Sequence, residues 1–244
     1  MSRDKMDKLA GWGRKLSLAG LVLLLGGTAV FRLGLMDFRP PFLALVLGAV
    51  LALVALGLSL VVLLRQGDRN VKGKARITIL ISVLVLFFPL SAVISGGDAP
   101  VIHDITTDTD NPPVFKEMPN VRAAGDNTLA IKPDVIEIQK QAYPDIGPLF
   151  TDVPRPILYA KVLELVADSG WDLISADNRL GEVEAVATTP AFGFKDDVII
   201  RISPDADGLR VDMRSVSRAG QGDLGANAKR IKRFLTQLDL SLQQ

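Results

Sequence analysis

The stretch FKDDVIIRISPDADGLRVDMRSVS, residues 194–217, holds two alternating runs around a turn. In the first run Phe194, Val198, Ile200 and Ile202 are interleaved with Lys195, Asp197 and Arg201. In the second, Val211 and Met213 alternate with Arg210, Asp212 and Arg214. Successive strand side chains point to opposite faces, so each run predicts a strand with one apolar and one charged side. The intervening PDADG is a hairpin signal. Upstream, WDLISAD and GEVEAVATT predict two further strands around DNRLG. A helix precedes them, with Pro156 in its first turn, Gly170 at its end and Leu158, Val162, Leu165 and Val166 along one stripe. Another follows, with Asp223 accepting its first backbone N–H groups and Leu224, Ala228, Ile231, Leu235 and Leu238 facing inward. The order α-β-β-β-β-α predicts an α+β domain over residues 154–244, with a four-stranded antiparallel sheet and two helices on one face.

The second sheet face carries Glu184, Asp197, Arg201, Asp212 and Arg214. It is expected to be a solvated surface with cross-strand ion pairs. A polar binding surface is the alternative.

The N-terminal part is different material. Three uncharged runs occur: Leu16 to Phe31, Pro40 to Leu64 and Ile77 to Gly97. About 20 apolar residues in a helix cross a hydrocarbon core of about 30 Å. The first run reaches that length if its helix continues to Met36 with Arg32 snorkelling. A three-helix transmembrane domain over 1–97 is expected. Ala44, Gly48, Ala52, Ala55 and Ser59 place small residues on one face of the second helix, where another helix can approach. Mid-span ionisable groups are absent from the sequence, which favours packing over a conduction path.

Arg3, Lys5, Lys8, Arg14 and Lys15 precede the first span, and Arg65, Arg69, Lys72, Lys74 and Arg76 fill the second loop. The positive-inside rule puts both in the cytoplasm and exports everything after the third span. Residues 1–97 hold 12 Lys+Arg against 4 Asp+Glu, a net of +8; residues 98–244 hold 16 against 23, a net of −7. The acidic half argues against a nucleic-acid partner. Between the two parts, residues 98–153 are rich in proline and read as an extended segment laid over the domain that follows.

Catalytic signals are thin. The chain has no cysteine and one histidine, and no G-x-S-x-G elbow marks a nucleophile. No catalytic residue and no cofactor are assigned. His103, Asp104, Asp108 and Asp110 lie close in sequence, but their spacing matches no EF-hand loop, so turn chemistry is expected in place of metal binding. Lys229, Arg230, Lys232 and Arg233 are read as the solvated face of an amphipathic helix. RSVSRAGQGDLGANAKRIKRF, residues 214–234, offers glycines ahead of a helix N-terminus, a setting that favours anions. Arg201, Arg214, Ser217, Arg218 and Asn227 are the anion-binding candidates. A β-to-α connection capped by Asp223 is the competing reading.

YPDIGPL, GWDLISAD, TTPAFGFKDDVIIRI and VDMRSVSRAGQGDLGANAKRIKRF resemble the bacterial domain-of-unknown-function family 1499, over roughly Val101 to Leu238. The resemblance implies N-terminal membrane helices in many members and no established reaction. It implies that Asp196, Asp197, Arg201, Arg214, Ser215, Ser217, Arg218, Asp223 and Asn227 belong to a family pattern.

The expected protein is therefore a bacterial inner-membrane protein with a cytoplasmic N-terminus and a periplasmic α+β domain. Its expected role is a non-catalytic binding or assembly module, with the lipid bilayer and other envelope proteins as partners. The alternative is a hydrolase or other enzyme using the Asp/Arg-rich sheet face.

Overall fold

A computed structural model describes residues 3–65, 68–190 and 192–243. Gln66 and Gly67 of the expected cytoplasmic loop and Ala191 of the family-like stretch lie outside the described residues, as does the side chain of Arg3. Packing divides the chain into two units, Met1–Ser95 and Gly96–Gln244.

The first unit consists of α1 (Arg3–Arg32), α2 (Arg39–Leu64) and α3 (Arg69–Gly96), each long and apolar enough to cross a membrane. Their buried positions follow one rule. On α1 they are Met6, Ala10, Gly13, Ser17 and Gly20; on α2, Gly48, Ala52, Ala55, Ser59 and Val62; on α3, Val71, Ala75, Thr78, Ser82 and Val85. Alternating steps of four and three are the heptad seam of a left-handed helical pair. Small residues along the seam bring the backbones together. A Cβ at Gly20 would lie 2.7 Å from the Gly48 carbonyl oxygen, and one at Gly48 would lie 2.8 Å from that of Gly20. Gly13 meets Ala55 and Ser59 one heptad away, and Gly27 meets Pro41 and Ala44 on the other side.

In the second unit the sheet has six strands, where the sequence predicts four. They are β1 (Asp104–Thr106), β2 (Leu149–Thr151), β3 (Asp172–Asp177), β4 (Glu182–Thr188), β5 (Lys195–Asp205) and β6 (Gly208–Ser217). The order is β1-β6-β5-β4-β3, all antiparallel, and β2 also pairs with β6. The two added strands come from the proline-rich segment and lie end to end along the outer edge of β6. Three-residue strands carry too few residues to show alternation, so nothing local marks them. The same segment forms a third helix of this unit, α4 (Pro133–Ala142), and a 3₁₀ turn at Met118–Val121. The reason is edge protection: an unpaired β6 would expose a row of backbone donors and acceptors. Gln139 of α4 extends that logic. Its side-chain amide accepts from the Thr106 N–H at 3.0 Å and donates to the Thr106 carbonyl at 2.7 Å, standing in for the next strand.

The predicted hairpin forms with Asp205 opposite Gly208. A Cβ on Gly208 would lie 2.5 Å from the Thr151 carbonyl, so a glycine lets β2 approach. Helices α5 (Arg155–Asp168) and α6 (Ala226–Leu242) cover the apolar face. Leu158, Val162, Ile231, Phe234 and Leu238 pack there on Val183, Val198, Ile200, Ile202, Val211 and Met213. Trp171 stacks on Phe234 with ring centroids 5.2 Å apart.

The seam makes a direct prediction. Gly20→Val should destabilise the helical unit by about 1–3 kcal/mol, because β-branched bulk would meet the Gly48 backbone. Gly26→Val, at a position with open space around it, should be neutral. SDS titration of the full chain followed by circular dichroism measures both; equal midpoints for the two variants would contradict the seam.

Candidate functional site

The charged face of the sheet is not solvated. Alternation puts Glu182, Glu184 and Val186 of β4, Asp197, Ile199 and Arg201 of β5, and Asp212, Arg214 and Val216 of β6 on the side away from α5 and α6. The segment between β1 and α4 crosses this face. Phe115 and Met118 pack on Val186, Ile199 and Val216 and make a second apolar cluster. The expectation of a solvated face fails for this reason: Glu184, Asp197, Asp212 and Arg214 are buried under a roof from residues 98–153.

Arg214, at 2% exposure, is the clearest case. It makes a bidentate pair with Asp104, Nε to Oδ1 at 2.9 Å and Nη2 to Oδ2 at 2.7 Å. It also donates to the carbonyls of Pro113 at 3.2 Å and Leu129 at 2.7 Å, and sits 5.4 Å from the centroid of the Phe115 ring. Glu184 does the converse. Its carboxylate accepts the backbone N–H groups of Lys116, Glu117 and Met118 at 2.6, 3.1 and 2.7 Å, and so caps the 3₁₀ turn.

Asp197 is fully buried between two arginines. Arg218 Nε donates to its Oδ1 at 2.7 Å. Arg122 Nε stands 3.0 Å from its Oδ2 but off the hydrogen-bonding direction, which leaves both atoms buried without a hydrogen bond. Burial pushes the Asp197 carboxyl above its ordinary range, against the pull of Arg218 and Arg122. Burial likewise lowers Arg122.

Toward the hairpin end, Asp212 accepts from Thr107, Arg201 and Arg210 at 2.9–3.0 Å. Asp108 joins them, 3.0 Å from Arg201 and 3.1 Å from Arg210. Bonding to Asp212 raises Arg210 above its usual value. Here the roof stops, and a cleft of about 300 Å³ opens, lined by Asp108, Asn111, Arg201, Ser203, Asp205 and Arg210 among others.

The five anion-binding candidates do not converge. Arg201, Arg214 and Arg218 share the roofed face, whereas Ser217 and Asn227 lie on the helix side. Asn227 donates to Ser217 Oγ at 2.9 Å and to the His103 carbonyl at 3.0 Å, and accepts from Ser215 at 2.7 Å. Arg230 completes this network by binding Asp196, Ser215 and Asn227. The sequence pattern puts it on a solvated basic face; its position facing Asp196 of β5 draws it inward. Asp223 occupies the start of α6, accepting from Gly225 and Asn227 at 2.8 Å each. Leu224 and Gly225, at φ +53° and +76°, form the left-handed turn that lets it reach back.

The four residues of HDITTDTD separate. Asp104 pairs with Arg214, and Asp108 Oδ1 accepts the N–H groups of Asp110 and Asn111, an Asx-type turn. Asp110 lies 3.7 Å from Lys140, and His103 Nδ1 is 3.2 Å from the Gln221 carbonyl. The residues missed by sequence reasoning are Arg122, Asp126 and Asp104 as ion-pair partners. All come from the roof, and no local pattern links them to partners at Asp197, Arg218 and Arg214, 75 to 110 positions away.

Two outcomes follow from these pairs. Arg214→Ala should cost about 3–5 kcal/mol in chemical denaturation, since it strands the Asp104 carboxylate. A loss below about 1 kcal/mol, the scale of a surface pair, would contradict the buried pairing. Asp197 binds its proton more readily folded than unfolded. Its contribution is therefore present below the ordinary carboxyl range and is lost as pH rises through the raised value. Asp197→Asn should gain on the wild type as pH climbs through that window; a difference independent of pH would overturn the assignment.

No curated protein matches the chain. The model of one family does, over residues 104–238, which begins at β1 and ends within α6. That match runs from Asp104, the partner of Arg214, through the roof and the whole sheet, so the roof is part of the family domain. The chain belongs to the family described as protein of unknown function, DUF1499.

Proposed function

We propose that this chain is a non-catalytic binding or assembly module held at a bacterial inner membrane by its three helices, with the α+β domain in the periplasm. One observation carries the non-catalytic reading. Buried ionisable residues of the sheet are engaged in fixed internal pairs: Arg214 with Asp104, Glu184 with three backbone amides, Asp197 with Arg218, and Asp196 with Arg230. A general acid or base must exchange its proton with a substrate, and groups committed in this way hold a fold together instead. Basic residues ahead of the apolar stretches of α1 and α3, Arg3 to Lys15 and Arg65 to Arg76, support the orientation. The partners proposed are the lipid bilayer and other envelope proteins; the acidity of residues 98–244 disfavours nucleic acid.

Reporter fusions test the placement. A fusion after Leu64 should be active as a cytoplasmic reporter and one after Gln244 as a periplasmic reporter; the reverse pattern contradicts it. For the role, any small molecule that saturates the purified full chain in mild detergent should be recovered chemically unchanged. Turnover that disappears in Arg201→Gln would favour the enzyme alternative.

A further inference from the structure

The cleft at the end of the β5–β6 hairpin differs from the rest of the charged face in having groups to spare. Arg201 uses only Nη2, which donates to Asp108, Asp212 and the Asn111 carbonyl, each at 3.0 Å. Arg210 uses Nε and Nη2, both toward Asp212, with Asp108 close by. Nη1 of each guanidinium therefore makes no hydrogen bond among the described residues. The Arg201 Nε is buried and has no partner. The Ser203 hydroxyl and the Asp205 carboxylate also line the cleft, and neither makes a side-chain hydrogen bond among the described residues. Two arginines are thus held in place by Asp108 and Asp212, with donors left over, beside Asp205, whose carboxylate acts on Arg210 through charge but makes no hydrogen bond among the described residues.

Charge decides what fits. The lining has two guanidiniums and three carboxylates, a net of −1. A bare anion is drawn by the arginines and repelled by the excess acid. A bare cation meets two guanidiniums. A ligand with both charges satisfies both halves, placing its carboxylate on the free arginine donors and its ammonium on Asp205. Arginine suits a carboxylate because its bonds to it are charge-assisted and directional. The arginines are already fixed by their ion pairs, so little ordering is lost on binding. The cleft volume of about 300 Å³ lies at the small end of ligand pockets.

We infer that this cleft receives a small zwitterion, an α-amino acid or a short free peptide, through Arg201, Arg210, Ser203 and Asp205. The inference rests on the binding-module reading and names its ligand class.

Isothermal titration of the full-length chain in mild detergent tests it, with L-alanine, acetate, methylamine and inorganic phosphate as separate probes. L-alanine should fill one site per chain, and acetate and methylamine should each bind about tenfold more weakly, because each lacks one charge-assisted contact. Asp205 is exposed and makes no side-chain bond, so Asp205→Asn should leave the melting temperature unchanged. It should weaken L-alanine about tenfold, the loss of one charged contact, and leave acetate as tight or tighter. Ser203→Ala should weaken L-alanine less. The inference is overturned if L-alanine does not bind, if phosphate binds more tightly than L-alanine, or if Asp205→Asn leaves L-alanine affinity unchanged. Should L-alanine bind but be converted, the module reading fails while the site stands. Should L-alanine fail to bind while another ligand class binds unchanged at a different place, the site fails while the module reading stands.

Discussion

The bidentate pair between Asp104 and Arg214 fixes the course of the chain before the hairpin. A guanidinium at 2% exposure is tolerable only when its charge is matched and its donors are used. Arg214 meets that demand with one carboxylate and two carbonyls from residues 104, 113 and 129. One side chain on a central strand thereby gathers three points of a proline-rich segment with little regular structure of its own. Glu184 gathers a fourth point by capping the 3₁₀ turn. Between them the apolar contacts of Phe115 and Met118 close the roof. Removing one partner exposes the other to an environment without water, so the pairs act as a register for the segment.

Much of this was legible from alternation. The hairpin at 194–217, the flanking strands, both covering helices and the Asp223 cap follow from residue spacing within about 20 positions. Which residues share a face was legible too: Arg214 and Arg218 on one side, Ser215 and Ser217 on the other. What the charged face meets was not. Strand alternation distinguishes two faces but does not say which is wet, and a face bearing five charges reads as solvent-facing by default. The roof that buries it is recruited from residues 68 to 110 positions away, through Asp104, Pro113, Lys116 and Leu129. β1 and β2 were invisible for a related reason, being three residues long and defined by the edge of β6 instead of by their own pattern. Likewise Arg230 looked like one cation among four until Asp196 was placed across from it.

The helical unit, long and apolar enough to cross a membrane, uses a different physical device for the same end. Lipid offers no hydrophobic drive for helix association, so close backbone approach and van der Waals packing must suffice. Small residues on α2 mark one side of the seam in the sequence; the structure shows the four-and-three spacing on all three helices, with Gly20 against Gly48 at its closest point. Close packing holds the helical unit together, and matched buried charge holds the second unit together. The cleft at the hairpin end leaves arginine donors unclaimed beside open space.

Hydrogen exchange of the intact chain in mild detergent tests most directly whether the roof and sheet are one body. If Arg214 and Glu184 lock the segment, the amides of Thr106 and of Lys116 to Met118 should exchange with the same opening free energy as those of β5 and β6. Exchange of those amides through a much cheaper local opening, while β5 and β6 stay protected, would show that the segment is only laid on the sheet.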